Sequence, residues 1–228
     1  MPLRKSLAAL ALAICTFSTT GCDNVSFKVK GPSLELPGFS YNSNKLNLLQ
    51  IRGEEKWHSG DFQGALEDFD KLIKEEPNNA YAFFSRGSAL LKLGKLQEAM
   101  DDTNKALKLN PNIAKAYETR GVAKELMGNK GGALLDFNRA IEIDENFSSA
   151  YANRGAVKSD LGNYKGALID LNKALEIDPN LAYGYRYRAK NYDRQGNMTD
   201  ACKDMKKASS LGDEVATRNL EMNPGVCK

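Results

Sequence analysis

The sequence predicts an all-α solenoid: five helix–turn–helix units stacked in line and closed by a C-terminal capping helix. Three observations predict it. Arginine stands at 52, 86, 120, 154 and 188, always 34 residues apart. In fixed phase with it come a glycine at 53, 87, 121 and 155 (Ala189 in the fifth copy), a second glycine at 60, 94, 128, 162 and 196, an alanine at 65, 99, 133, 167 and 201, and an aspartate at 68, 102, 136, 170 and 204. Between these markers apolar residues fall on one helical face, as Ala167, Leu168, Leu171, Ala174 and Leu175 do. A strict period of this length marks a repeat architecture, not one globular core.

Each unit holds two helices. The first, as in "AYANRGAVKSDLG", stops at the second glycine, a residue suited to the left-handed C′ position. The second runs through "YKGALIDLNKALEID". Pro77, Pro111 and Pro179 punctuate three unit ends, and Glu145 and Asp213 stand in the other two. The units are 46–79, 80–113, 114–147, 148–181 and 182–215. Asp213 caps a last helix that runs to about Met222, before Pro224, within a C-terminal cap at 213–228. Ala216 and Leu220 would face unit five, with Glu214 and Arg218 outward, covering the apolar face that a terminal repeat exposes.

The chain opens "MPLRKSLAALALAICTFSTTGC". Arg4 and Lys5 precede an apolar run from Leu7 to Phe17, too short to span a bilayer comfortably. Residues 1–22 therefore read as a secretory signal peptide. Its end resembles a bacterial lipobox, in which Cys22 would carry the lipid, although Thr19 stands where that motif prefers a branched aliphatic residue. Export without lipid and an uncleaved anchor are the alternatives. Residues 23–45, with "KGPSLELPGFSYNSN", read as a flexible tether. Phe27, Leu34 or Phe39 could touch the first unit, and "VSFKV" could form a short strand.

The whole chain carries net charge +3. Loss of Arg4 and Lys5 with the leader leaves +1, without the basic excess that nucleic-acid binding requires. Of four cysteines, Cys15 lies in the leader and Cys22 is the lipid candidate. Cys202 and Cys227 remain, and in an exported protein they most simply pair, closing a loop worth about 3–4 kcal/mol. Two unpaired thiols are the alternative. His58 is the only histidine and lies far from both cysteines in sequence, so no metal site is expected.

Period, pattern and markers together resemble the tetratricopeptide repeat (TPR) family, in the style of exported bacterial members, over residues 46–215. The resemblance implies a right-handed solenoid whose first helices line a concave groove for protein or peptide partners. Unit positions two, five, nine and twelve would face that groove, and their spacing makes one helical stripe. Near the N-terminal end it carries Trp57, Tyr81 and Phe84. Glu118 lies in the middle. Ala152, Ala156 and Ser159 offer a small-residue floor. Tyr183, Arg186 and Lys190, with Tyr187 beside them, form a Tyr–Arg cluster at the far end. Aromatics and arginine are common interface anchors. The plainer alternatives are that Trp57 and Phe84 pack within the array, and that Arg186 and Lys190 are a solvated face. Co-chaperone TPRs hold a carboxylate with Lys and Asn at positions five and nine of one repeat; no unit here has that pair, so a chaperone-tail adaptor is not expected. Unit one has net charge −4 and unit five +2, which could orient a partner or be surface composition alone.

The repeated arginine and aspartate, Arg52 with Asp68, Arg86 with Asp102, Arg120 with Asp136, Arg154 with Asp170 and Arg188 with Asp204, read as structural ion pairs. Catalytic groups are not normally copied along a stack, whereas a bidentate tie between two antiparallel helices is. The glycines in "GKLQ" and "GNKGG" sit at inter-helix turns and do not fit a phosphate loop. No catalytic residue and no cofactor are expected. The sequence supports a non-catalytic adaptor at the cell envelope, anchored by lipid. The alternatives are an assembly or biogenesis factor of an envelope complex, or a soluble secreted or periplasmic protein.

Overall fold

The computed structural model describes residues 41–223 together with Gly225 and Cys227; Cys22 and the leader lie outside them. Eleven α-helices and no strand occur among the described residues. They are α1 (Tyr41–His58), α2 (Phe62–Glu75), α3 (Ala80–Lys92), α4 (Leu96–Leu109), α5 (Ala114–Leu126), α6 (Lys130–Ile143), α7 (Ser148–Asp160), α8 (Tyr164–Ile177), α9 (Ala182–Arg194), α10 (Met198–Ser210) and α11 (Glu214–Met222). Pairs α1/α2 to α9/α10 form the five units, and each helix packs chiefly on its neighbours in sequence.

The helix ends follow local chemistry. The C′ glycines Gly60, Gly94, Gly128, Gly162 and Gly196 have φ between +75° and +85°, a backbone that only glycine adopts without strain. Asp61, Asn129, Asn163 and Asn197 cap four of the second helices through their side chains. One boundary differs from the sequence reading. Helix α1 starts at Tyr41, inside the stretch read as a tether. No proline or glycine lies between Gly38 and Gly53, so nothing stops the helix from extending upstream.

Units stack through small residues. Ala82 packs on Leu72, Ala116 on Leu107 and Ala150 on Ile141, each against the second helix of the preceding unit. Leu48 holds the same position in unit one, which no unit precedes among the described residues, and is 59% exposed. Within a unit, the glycine after the arginine lies under a core ring. A Cβ on Gly121 would sit 2.7 Å from Phe137 Cε1, whereas one on Gly131 would meet nothing. Gly121→Ala is therefore expected to cost about 1–3 kcal/mol by overpacking. Gly131→Ala, exposed in helix α6, should instead stabilise by up to about 1 kcal/mol. Urea midpoints moving in opposite directions for the two variants are the check.

The arginines clamp three helices rather than two. In all five units Nε and Nη2 donate to both oxygens of the aspartate on the paired helix, at 2.5–2.9 Å. From unit two onward Nη1 also donates backwards, to Asp70, Asn104, Asn138 and Asn172 on the second helix of the preceding unit, at 2.6–2.8 Å. The guanidinium lies 5.3–5.7 Å from the ring centre of Phe83, Tyr117, Tyr151 or Tyr185, three residues earlier. Lys56, Lys124 and Lys158 add a second cation to Asp68, Asp136 and Asp170 at 2.7–2.9 Å. The sequence predicts the tie within each unit; the tie between units is an addition of the packed array.

Hydrogen bonding from Arg52, with Lys56 beside it, lowers the Asp68 carboxyl from 3.8 to about 2, against the opposing cost of burial. A folded-state value below the unfolded one stabilises the fold fully above about pH 4, and that contribution disappears as pH falls towards about 2. Thermal midpoints should drop across this window. Arg52→Gln should flatten the drop.

Candidate partner groove

The described residues enclose an open groove of about 940 Å³. All five first helices contribute to it. The N-terminal end has Glu54, Trp57 and His58 from α1, then Tyr81, Phe84, Ser88, Leu91 and Lys92 from α3. The centre has Lys115, Glu118, Thr119 and Val122 from α5, and Ser149 and Asn153 from α7, with Phe147 just before it. The far end has Tyr183, Arg186 and Tyr187 from α9, and Asp213 at the start of α11.

The side chains differ in how firmly they are held. Trp57 packs on the cluster of Ala65, Phe69 and Ala89, meets Phe62 edge-on at 6.1 Å, and still lines the groove. Its buried Nε1 has no hydrogen-bond acceptor. Phe84 packs beside Leu107 and Ile113, while Tyr81 is 56% exposed. Glu118 accepts a hydrogen bond from Asn153 Nδ2 at 3.1 Å. Burial pushes its carboxyl up, opposed by Ser149, Lys115, Lys92 and Asn153. Tyr183 and Tyr187 meet edge to face at 5.6 Å, and burial raises both hydroxyls.

Three expectations for this surface change. Ala152 is fully buried, under Tyr183 and Tyr187 of the next unit, and Ser159 is buried as well. Ala152 leaves room for larger rings to close over it, so the tyrosines become the lining, while Ala156 is half-buried and Ser159 accepts from Arg194 Nη1 at 3.2 Å. Lys190 does not line the groove; its Nζ lies 3.3 Å from Asp160 Oδ1, a carboxylate that Arg194 also holds at 2.6 Å. Arg186 does line the groove, but Asp213 takes its charge at 2.8 Å while also capping α11 through Ala216 N.

The stripe of positions two, five, nine and twelve is fully represented only in unit two. Position six contributes Ser85, Thr119, Asn153 and Tyr187, of which the sequence reading named only Tyr187. These four recur at the same spacing as the arginines, so the period carried the signal. Phe147, the last residue of unit three, stands where other units carry Ile113, Leu181 and Val215, a position outside the stripe.

Cys202 and Cys227 form a disulfide with Cα atoms 5.3 Å apart. It ties the segment after α11 back to α10. Ala216 is fully buried, and Glu214 and Arg218 are exposed.

Models of the tetratricopeptide repeat match residues 52–112, 114–147 and 148–181. No curated protein sequence matches the chain. Among solved structures, the chain is similar to TTC0263, a thermophilic TPR protein of Thermus thermophilus, with TM-score 0.65, 21% identity, and coverage of 78% of this chain and 95% of that one. It is similar to the MamA protein, with TM-score 0.58, 26% identity, and coverage of 77% and 96%. It is also similar to YrrB, described as a TPR protein with an unusual peptide-binding site, with TM-score 0.56, 21% identity, and coverage of 79% and 95%. With the 34-residue markers, the helix pairs and three matching models in agreement, the chain belongs to the tetratricopeptide repeat family.

Proposed function

We propose that this chain is a non-catalytic adaptor that binds a peptide or protein segment in its groove, and that it works at the cell envelope, anchored through lipid on Cys22. One observation carries the binding reading: a continuous groove of about 940 Å³, lined by Trp57, Tyr81, Phe84, Tyr183 and Tyr187 from the first helices. Concave, largely apolar surfaces with a few convergent polar groups are where proteins bind ligands, and rigid aromatics are frequent anchors. The location rests on the N-terminal sequence alone, with its short apolar run from Leu7 to Phe17 followed by Gly21 and Cys22.

Affinity capture from native envelope material, with the parent and with Phe84→Ala and Tyr81→Ala, tests the groove. The alanine variants are expected to lose partners that the parent retains. Partners kept by every groove variant would put binding on another surface, as an assembly factor would have it. Membrane fractionation tests the anchor: the parent should sediment with membranes and Cys22→Ala should not. A wholly soluble parent would sink the lipid reading and leave the groove untouched.

A further inference from the structure

The charged groups of the groove are not equally available. Arg186 is neutralised by Asp213 at 2.8 Å. Glu54 is exposed and takes the Gln50 amide at 3.0 Å. Lys92 and Lys115 are exposed, with Lys92 over the Trp57 ring at 6.0 Å. Glu118 is different. It is half-buried at the middle of the groove; the Asn153 amide donates to it at 3.1 Å, and the Ser149 hydroxyl, also neutral, favours its charge from nearby. No lysine or arginine among the described residues forms an ion pair with it. Lys115 and Lys92 influence it only from a distance. Phe84, Phe147, Tyr183 and Tyr187 line the same groove, and Tyr183 is near enough for the Glu118 charge to act on its hydroxyl.

A carboxylate set among aromatic rings is a cation receptor. Ring faces attract positive charge, the carboxylate supplies the counter-charge, and partial burial strengthens both against water. Resting on the groove reading above, we propose that Glu118 is the subsite for a basic side chain, so that the bound segment carries a lysine or arginine flanked by apolar residues that lie along Phe84 and the tyrosines. The desolvation that pushes the free carboxyl up is what an incoming ammonium or guanidinium would offset. Arg186 cannot compete for this role in the free protein, because Asp213 holds it at the far end.

A random-peptide display library, selected on the full-length protein and on Glu118→Gln and Phe84→Ala variants, tests the inference. Circular dichroism first establishes that each variant is folded. The parent is expected to enrich peptides with lysine or arginine at one register between apolar residues. Glu118→Gln is expected to lose the basic preference and keep the apolar one. For one selected peptide, replacing its lysine by norleucine should weaken binding to the parent at least about tenfold by fluorescence anisotropy, with little change for Glu118→Gln. Selected peptides without a basic register, or a basic register that survives Glu118→Gln, would overturn the inference and leave the groove reading standing. A parent that enriches no peptide, or a Phe84→Ala variant that enriches the same peptides, would overturn both.

Discussion

Asp170→Ala is expected to destabilise the array by about 3–5 kcal/mol, because it strips the partner from two cations at once. Arg154 donates to both oxygens of Asp170, at 2.7 and 2.8 Å, and Lys158 lies 2.8 Å from the second. The aspartate side chain is 3% exposed and that of Arg154 17%, so water replaces little of what is lost. Asn138 and the ring of Tyr151 would remain against the guanidinium and cannot neutralise it. The midpoint of thermal unfolding followed by circular dichroism should fall by roughly 6–20 °C, at about 2–4 °C per kcal/mol for a chain of this size. Asp170→Asn keeps the shape and loses the charge, and should fall by less. A midpoint equal to the parent's for Asp170→Ala would show that the clamp contributes nothing to stability.

The second large effect is at the other end of the array. Cys202 and Cys227 are 25 residues apart, and opening the bond is expected to cost about 3 kcal/mol through the freedom returned to the unfolded loop. The loss should be local. Helix α11 has nine residues and buries Ala216 as its only fully covered side chain, too little to hold a short helix alone. Hydrogen exchange in Cys202→Ser/Cys227→Ser should therefore speed up across 213–222 and stay unchanged in α1 to α8. Release of α11 would also free Asp213 from Arg186 and return a cation to the groove. Unchanged exchange in 213–222 would show that packing alone holds the cap.

Much of this protein was legible because its repeat writes each structural decision five times. A glycine seen once is ambiguous; Gly60, Gly94, Gly128, Gly162 and Gly196 in one phase can only be a recurring turn. The same holds for Arg154 and Asp170, whose five copies mark a structural device. The backward tie to Asp70, Asn104, Asn138 and Asn172 was equally periodic. It joins consecutive units, so the pattern within one unit does not reveal it.

The groove was less legible. Spacing assigns a side chain to a helix face, but burial depends on the size of what arrives from the next unit. Ala152 lies on the stripe and still vanishes under Tyr183 and Tyr187. Arg186 carries the charge that its sequence position suggests, and Asp213, 27 residues later, cancels it. Both outcomes are set by contacts between neighbouring units, to which a pattern within one unit is blind.

By itself, then, the sequence determined the all-α repeat, the turns, the paired helices and the arginine–aspartate register, because each rests on local periodicity and backbone chemistry. Only the tertiary structure decided which stripe residues stay open, which cations are neutralised, and that Glu118 lines the aromatic groove with no ion pair among the described residues. Those properties arise where one unit meets the next, and the physical quantity that settles them, access to water, belongs to the packed array and to no single stretch of chain.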